Sequence, residues 1–334
     1  VNGFDNAGTV TMWHTLTQLE IKYTLMTKPA NVWVFWIPRF WYEARYDLDT
    51  SYPQTPVEQD LGRENVLGDP RSGGDWFREA YINIDYKRVN LRVGKQQVVW
   101  GESDGFRLAD IINPLDFSWH YFFPPWEDIR KPLPMVWSRF DTGRLKVFNS
   151  TNIEVVWIPT SFEPNTIPHP CAPWGFPVPP PAVPIAEGFD DCSQVLPNLY
   201  APEDPDPFRE TLENGEAAIK FNFVTLNGWE MNFYNFYHRD DIGIANLQSG
   251  LYEYKRINTI GMTWNKFVDK PLNLPIISVF RGEATFNMDV PYNKQIGPTA
   301  FNAEVVRKKT FNFVIGIDRN TMVDFLKIDT GFFG

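Results

Sequence analysis

The chain has 334 residues, 43% hydrophobic and 16% aromatic, with 31 Lys plus Arg against 41 Asp plus Glu for a formal net charge of −10. That length holds two ordinary soluble domains or one large all-β unit. The acidic balance argues against a phosphate-backbone binder, so no nucleic-acid partner is expected, and no apolar run reaches the ~18 residues of a membrane-spanning helix.

Residues 1–10, "VNGFDNAGTV", have no basic region leading into an apolar core, so no signal peptide is expected there, which fits a cytosolic chain or a mature, processed one. From there on, period two dominates. In "FWYEARYDL", Phe40, Tyr42, Ala44, Tyr46 and Leu48 alternate with charged Glu43, Arg45 and Asp47. "AAIKFNFVTL", the hairpin signal Asn227-Gly228 and "WEMNFYNFYH" continue the alternation. "SVFRGEATFNM" and "FNFVIGID" repeat it, the latter with Phe311, Phe313, Ile315 and Ile317 on one face. The pattern predicts about twelve strands, over 10–26, 31–49, 76–86, 89–100, 134–142, 150–159, 215–226, 228–239, 253–267, 275–289, 304–318 and 321–330. Many exceed the usual ~5–6 residues. Short turns at 87–88, 227–228 and 319–320 alternate with long loops at 50–75, 101–133 and 160–214.

The 160–214 loop cannot be strand interior, because residues 159–207 hold 14 of the 28 prolines. It also holds both cysteines, Cys171 and Cys192. A disulfide between them implies an oxidising compartment, and two unrelated free thiols are the alternative. The stretch reads as a structured surface loop rather than an interdomain linker. The four His are scattered, no CxxC pair is present, and no phosphate loop, HExxH or Ser–His–Asp set occurs. No metal, no cofactor and no enzymatic activity are therefore expected.

Long antiparallel strands with one apolar and one charged face have two homes. In a soluble sandwich the apolar faces pack inward. In a membrane barrel they meet lipid and the polar faces line a lumen. Tight turns on one rim and long loops on the other favour the barrel, as do strands of the ~9–11 residues that cross a bilayer at a tilt. Aromatics near strand ends (Trp33, Phe35, Trp36, Trp41, Trp137, Trp157, Trp229, Tyr237, Trp264) suit interfacial girdles.

Between Glu79 and Phe140 the elements "REAY", "LRVGKQQVVWGE", "DGFRLADIINPLD" and "EDIRKPL" follow one another in a fixed order. Together they resemble a family of Gram-negative outer-membrane β-barrels catalogued as a domain of unknown function, number thirteen-oh-two. The motifs cover about 60 of the 334 residues, and the rest matches in its alternating style. The resemblance implies a porin-like barrel in the bacterial outer membrane, or an outer-membrane partner of lipid- or sterol-handling export. The final residues, "DTGFFG", do not form the terminal strand such barrels end on, so part of the polypeptide is expected to be missing.

The fold expected is thus all-β, a single antiparallel transmembrane β-barrel over 1–334. The 101–133 loop is expected to fold toward the lumen, with an external position over the rim as the alternative. "DGFRLADIINP" reads as a short helix starting at Asp104 or Gly105 and stopped by Asn113-Pro114, and "WEDIRKP" as a helical turn ended by Pro132. The lumen or constriction candidates are Glu43, Arg45, Arg92, Lys95, Gln97, Glu102, Asp104, Arg107, Asp110, Arg130, Lys131 and Arg281. Glu102 and Asp104 resemble a glycosidase pair, but so many acids beside Arg107, Arg130 and Lys131 in one loop read as salt bridging. Lys95 and Gln97 break the alternation set by Leu91 and Val93. Either a bulge at Gly94 turns them into the lumen or the strand has left the apolar layer and "KQQ" lies at the rim.

The function expected is a channel or transporter for a small or amphipathic solute, lipid-like solutes included. Outer-membrane lipid and envelope proteins are the further partners. The alternatives are a docking component of an outer-membrane assembly without transport, and a soluble secreted carbohydrate-binding β-protein.

Overall fold

The structure is a computed structural model that describes residues 13–44, 72–103, 107–117, 124–159, 162–166, 208–209, 211–247, 251–269, 277–299, 302–318, 322–323 and 328–329. Strands make up almost all of its regular structure. They are β1 (His14–Gln18), β2 (Ile21–Met26), β3 (Asn31–Glu43), β4 (Ser72–Tyr86), β5 (Val89–Gln96), β6 (Leu133–Leu145), β7 (Phe148–Ile158), β8 (Glu216–Thr225) and β9 (Trp229–Arg239). There follow β10 (Ile244–Ala245), β11 (Tyr252–Glu253), β12 (Arg256–Asp269), β13 (Ile277–Gln295), β14 (Ala303–Asp318), β15 (Met322–Val323) and β16 (Ile328–Asp329). One helical turn, α1 (Trp126–Ile129), lies between β5 and β6.

Twelve strands form one sheet in the order β1-β3-β4-β5-β6-β7-β8-β9-β12-β13-β14, with β2 also beside β3. Neighbours in sequence are neighbours in space, and the pairings are antiparallel. The all-β antiparallel expectation is met. The sheet is open: among the described residues β14 and the β1/β2 edge do not pair. Three connections at one rim are tight, at 87–88, 146–147 and 226–228. Lys87 and Gly228 take the left-handed conformation there, with φ of 54° and 80°. The opposite rim carries the long connections 44–71, 97–132, 159–215 and 240–255. The turn expected at 319–320 lies outside the described residues.

Several boundaries differ from the sequence expectation: β4 starts at Ser72 instead of 76, β5 stops at Gln96 instead of 100, β6 runs to Leu145 instead of 142, and two further differences have a clear local cause. The strand predicted over 10–26 is two strands end to end, β1 on residues 39–43 and β2 on residues 32–36 of β3. The break faces Pro38, which has no N–H to give the ladder; its carbonyl accepts the Leu19 N–H at 3.2 Å. β13 runs on to Gln295 because a bulge between Asn287 and Val290, with Asp289 at φ 65°, absorbs the break in alternation.

The register sorts side chains into two faces, since cross-strand partners share a face. One row reads Tyr86, Val89, Phe140, Ile153, Phe221, Phe233, Met262, Ala284, Phe313 from β4 to β14. The adjacent row on the other face reads Asp85, Asn90, Arg139, Glu154, Lys220, Tyr234, Gly261, Thr285, Asn312. Burial is the reverse of a water-soluble sheet. Phe221, Phe233 and Phe313 are 46%, 44% and 64% exposed, whereas Lys220 is 7% and Glu283, one row on from Thr285, is 0% exposed. In these rows the apolar side chains are bare and Lys220, Tyr234 and Thr285 of the polar row are covered, while Arg139, close to the tight-turn rim, stays exposed.

Two glycines let the polar face pack. A Cβ on Gly94 (φ 138°) would lie 2.2 Å from the Ala80 carbonyl, and one on Gly261 would lie 2.2 Å from the Tyr234 ring opposite. The expected aromatic girdle divides between the faces. Trp157 and Tyr237 stand on the bare apolar face. Trp33 and Phe35, paired with Asn83 and Tyr81, share the polar side, as does Trp137, paired with Arg92. Their place follows from strand parity, which strand-end position alone does not reveal.

Candidate functional site

The polar face is covered by residues 97–103, 107–117 and 124–132, the connection between β5 and β6. It descends from Gln96, the last residue of β5, which is fully buried and donates from Nε2 to the Met135 carbonyl at 3.2 Å. Trp100 follows, only 2% exposed, with its ring N–H on Glu154 of β7 at 3.1 Å and Lys220 of β8 over its face. Val98, Trp100, Ala109 and Ile112 join Met135, Trp137, Val156, Ala218, Tyr234 and Phe236 of the sheet in one apolar cluster. Hydrophobic burial thus happens between the sheet's polar-side face and this segment.

Beyond Trp100 the segment crosses to β13. The Glu283 carboxylate accepts four backbone N–H groups: Glu102 and Ser103 on Oε1 at 2.5 and 2.7 Å, Leu108 and Ala109 on Oε2 at 3.3 and 2.9 Å. Arg281 Nη1 donates to the Glu102 carbonyl at 2.6 Å and also pairs with Asp318. Asn265 of β12 donates to the Glu102 carboxylate at 3.2 Å. Burial pushes that carboxyl above the usual glutamate range, against the pull of Asn265 and Lys220.

The far end is clamped from β3 and β4. Arg78 Nη2 donates to the carbonyls of Glu127, Asp128 and Arg130 at 2.6, 3.1 and 2.9 Å. Arg39 pairs with Asp128 at 2.7 Å. In the middle, Asn113 is fully buried; its Oδ1 accepts the Val98 N–H at 2.7 Å and its Nδ2 donates to the Gln96 and Lys131 carbonyls. Arg130 pairs with Asp110 at 2.6 Å. Arg107 lies 3.9 Å from Asp241, in the connection after β9. Burial lowers the Arg107 pKa and raises that of Asp241 well above the ordinary carboxylate range, each opposed by the charge of the other. A sheet this wide curls rather than staying flat, and one segment reaches strands from β3 to β13.

The expected helix at "DGFRLADIINP" does not form over residues 107–113. The amides that would close helical turns are taken by Glu283, and Leu115 and Asp116 bridge to Arg130 and Thr166. The turn at "WEDI" is present as α1, with the extended Arg130 following it.

The sequence-predicted residues separate into groups. Glu102 and Arg281 meet on β13, and Arg107, Asp110 and Arg130 lie in the middle of the segment. Lys131 holds the Pro164 carbonyl at 2.8 Å, and Gln97 the Glu127 carbonyl at 3.2 Å. Arg92 is sandwiched between the rings of Tyr81 and Trp137 on the polar face. Lys95 does not join them. Pairing runs through Gly94 without a register shift, so no bulge turns Lys95, and it stays in line with Leu91 and Val93, paired with Asp75 at 3.2 Å. The strand ends one residue later, at Gln96, so the polar run lies at the long-loop rim. Glu43 pairs through its backbone with His14 at the end of β3. Arg45, Asp104, Cys171 and Cys192 lie outside the described residues. The ends of the Pro-rich stretch are packed, with Phe162, Phe208 and Tyr254 in mutual ring contact.

Sequence reasoning left out Arg39, Arg78, Trp100, Asn113, Glu154 and Glu283 as site residues. Three of these had a signal. Arg78 opens "REAY", Trp100 stands in "QVVWGE" and Asn113 stands in "DIINP". The four motif elements quoted above meet at this knot, with Arg78 holding the carbonyls of "EDIR" and Asn113 joining "KQQV" to Lys131. Among the described residues no group of His, Cys, Asp or Glu side chains is arranged to hold a metal ion.

A family model described as "Protein of unknown function (DUF1302)" matches residues 2–326. No curated protein and no solved structure matches the chain.

Proposed function

We propose that this chain, a member of the DUF1302 family of unknown function, is an outer-membrane β-barrel protein that passes a small or amphipathic solute through a lumen narrowed by the β5–β6 segment. The observation that carries the reading is the inverted burial. The row through Phe140, Phe221, Phe233 and Phe313 is uncovered, while charged Lys220 and Glu283 are buried. In water such an array is an aggregation liability; against lipid tails it is the ordinary outer face of a barrel. Strand lengths of 10–16 residues in β8, β9, β12 and β14 suit a tilted crossing of the hydrocarbon layer. The side facing the segment mixes Arg, Glu and Asn with Trp and Tyr, a lining for a solute that is both polar and apolar.

The test is reconstitution. The refolded protein partitions into lipid vesicles, and single-channel recordings with and without residues 103–131 show steps that grow on deletion. Flux of amphipathic solutes into the same vesicles follows the conductance. Absence of conductance in both forms, with the sheet intact by circular dichroism, refutes transport. A second reading, a docking component that conducts nothing, is favoured by how completely the segment fills the polar face, with Asn113 and Glu283 at 0% exposure; those recordings decide between the two.

A further inference from the structure

We infer that Glu283 is the latch that holds the β5–β6 segment across the passage, so that its carboxylate sets whether the passage is blocked. The inference rests on the transport reading above. Most links between segment and sheet are apolar or single hydrogen bonds, whereas Glu283 gathers four backbone N–H groups from two separate stretches, 102–103 and 108–109. Both carboxylate oxygens accept two each. A fully buried carboxylate without those donors would be an unpaired charge, so latch and segment depend on each other.

The neighbouring groups fit that role. Arg281, two residues away on the same face of β13, holds the Glu102 carbonyl, and Tyr234 reaches the Leu108 carbonyl at 3.4 Å. These contacts sit at the β13 end of the segment. The opposite end is clamped independently by Arg39 and Arg78. Releasing Glu283 therefore leaves that end on the single hydrogen bonds of Arg281, Asn265 and Tyr234, with the Arg39–Arg78 end as a hinge.

Glu283→Gln is the sharp perturbation. It is nearly isosteric, but its NH2 group would face the N–H donors that now point at one oxygen, and the surviving contacts lose their charge assistance. Hydrogen exchange on the refolded full chain in lipid reads the latch, and single-channel recording reads the passage. The expected result is exchange at Ser103, Leu108 and Ala109 at least about tenfold faster, with β8 and β9 unchanged, and a larger mean conductance. Unchanged exchange at those amides overturns the latch. Faster exchange with the conductance of a conducting wild type unaltered overturns the gating role. If neither form conducts, the transport reading fails, and exchange still judges the latch. Should Glu283→Gln not refold, Glu283→Asp, one methylene shorter with its charge intact, is expected to show the same change in smaller measure; wild-type exchange and conductance in that variant overturn the proposal.

Discussion

Phe221 stands at the middle of β8, between Ile153 and Phe233 in the uncovered row. Replacing it with arginine separates a lipid-facing sheet from a water-facing one. The side chain is 46% exposed in the isolated chain. In water, roughly half of the ~1.5–3 kcal/mol for burying a phenylalanine is at stake, so Phe221→Arg costs about 1 kcal/mol. In a bilayer the cost is that of a mid-plane arginine, ~2–4 kcal/mol, and it depends on depth. Leu226, in the turn before β9 and 56% exposed, is the rim control. Leu226→Arg costs ~0–1 kcal/mol in lipid. The measurement is urea unfolding of the refolded protein in vesicles, followed by tryptophan fluorescence. A clear excess cost for Phe221→Arg over Leu226→Arg supports the lipid-facing assignment. Equal costs within ~0.5 kcal/mol, in a protein that stays dispersed without detergent, refute it.

Asn113→Ala leaves the Val98 N–H and the Gln96 and Lys131 carbonyls without their partner. At ~1–3 kcal/mol for each of these groups, the loss is at least about 3 kcal/mol, read as a lower unfolding midpoint or as faster exchange over 97–117 alone. Gly261→Ala drives a methyl into the Tyr234 ring and costs ~1–3 kcal/mol; pairing it with Tyr234→Ala, which removes the ring, recovers part of that loss in a double-mutant cycle. Glu102 gives a pH dependence. Because burial raises its carboxyl, the folded protein binds more protons than the unfolded chain between the unfolded value, ~4.3, and the higher folded one. Its contribution is greatest below ~4.3, falls as pH rises through the folded value and is level above it. Glu102→Gln flattens the unfolding midpoint across that window, and an unchanged slope counts against the assignment.

Much of this fold was legible in the alternation of residues. Ile219, Phe221 and Phe223 against Lys220 and Asn222 identify a two-faced strand, and Asn227-Gly228 places its hairpin, because a strand's period of two and a turn's backbone demands are local properties. The break at "KQQ" was legible too, but its meaning depended on whether the ladder shifts at Gly94, and only the pairing of Tyr81 with Gly94 and of Lys95 with Pro134 decides that. The helix expected after Asp104 failed for a related reason. Its apolar spacing is real, but the acceptor for its amides is a glutamate about 175 residues away, beyond any local window.

The site shows the same division. Arg107, Asp110, Glu102 and Arg130 announce themselves by charge crowded into one loop. Glu283 reads as one more alternating polar residue of a strand, no different in pattern from Glu230. What sets it apart is the register from β9 through β12 to β13, which carries it opposite Thr263 and beneath the segment. By itself, then, the sequence determines the strands, their two faces and the motifs that mark the β5–β6 connection. The tertiary structure alone decides that the polar face is the covered one and that a buried carboxylate holds its cover in place. Periodicity is written residue by residue, whereas burial is a property of what the rest of the chain lays on top.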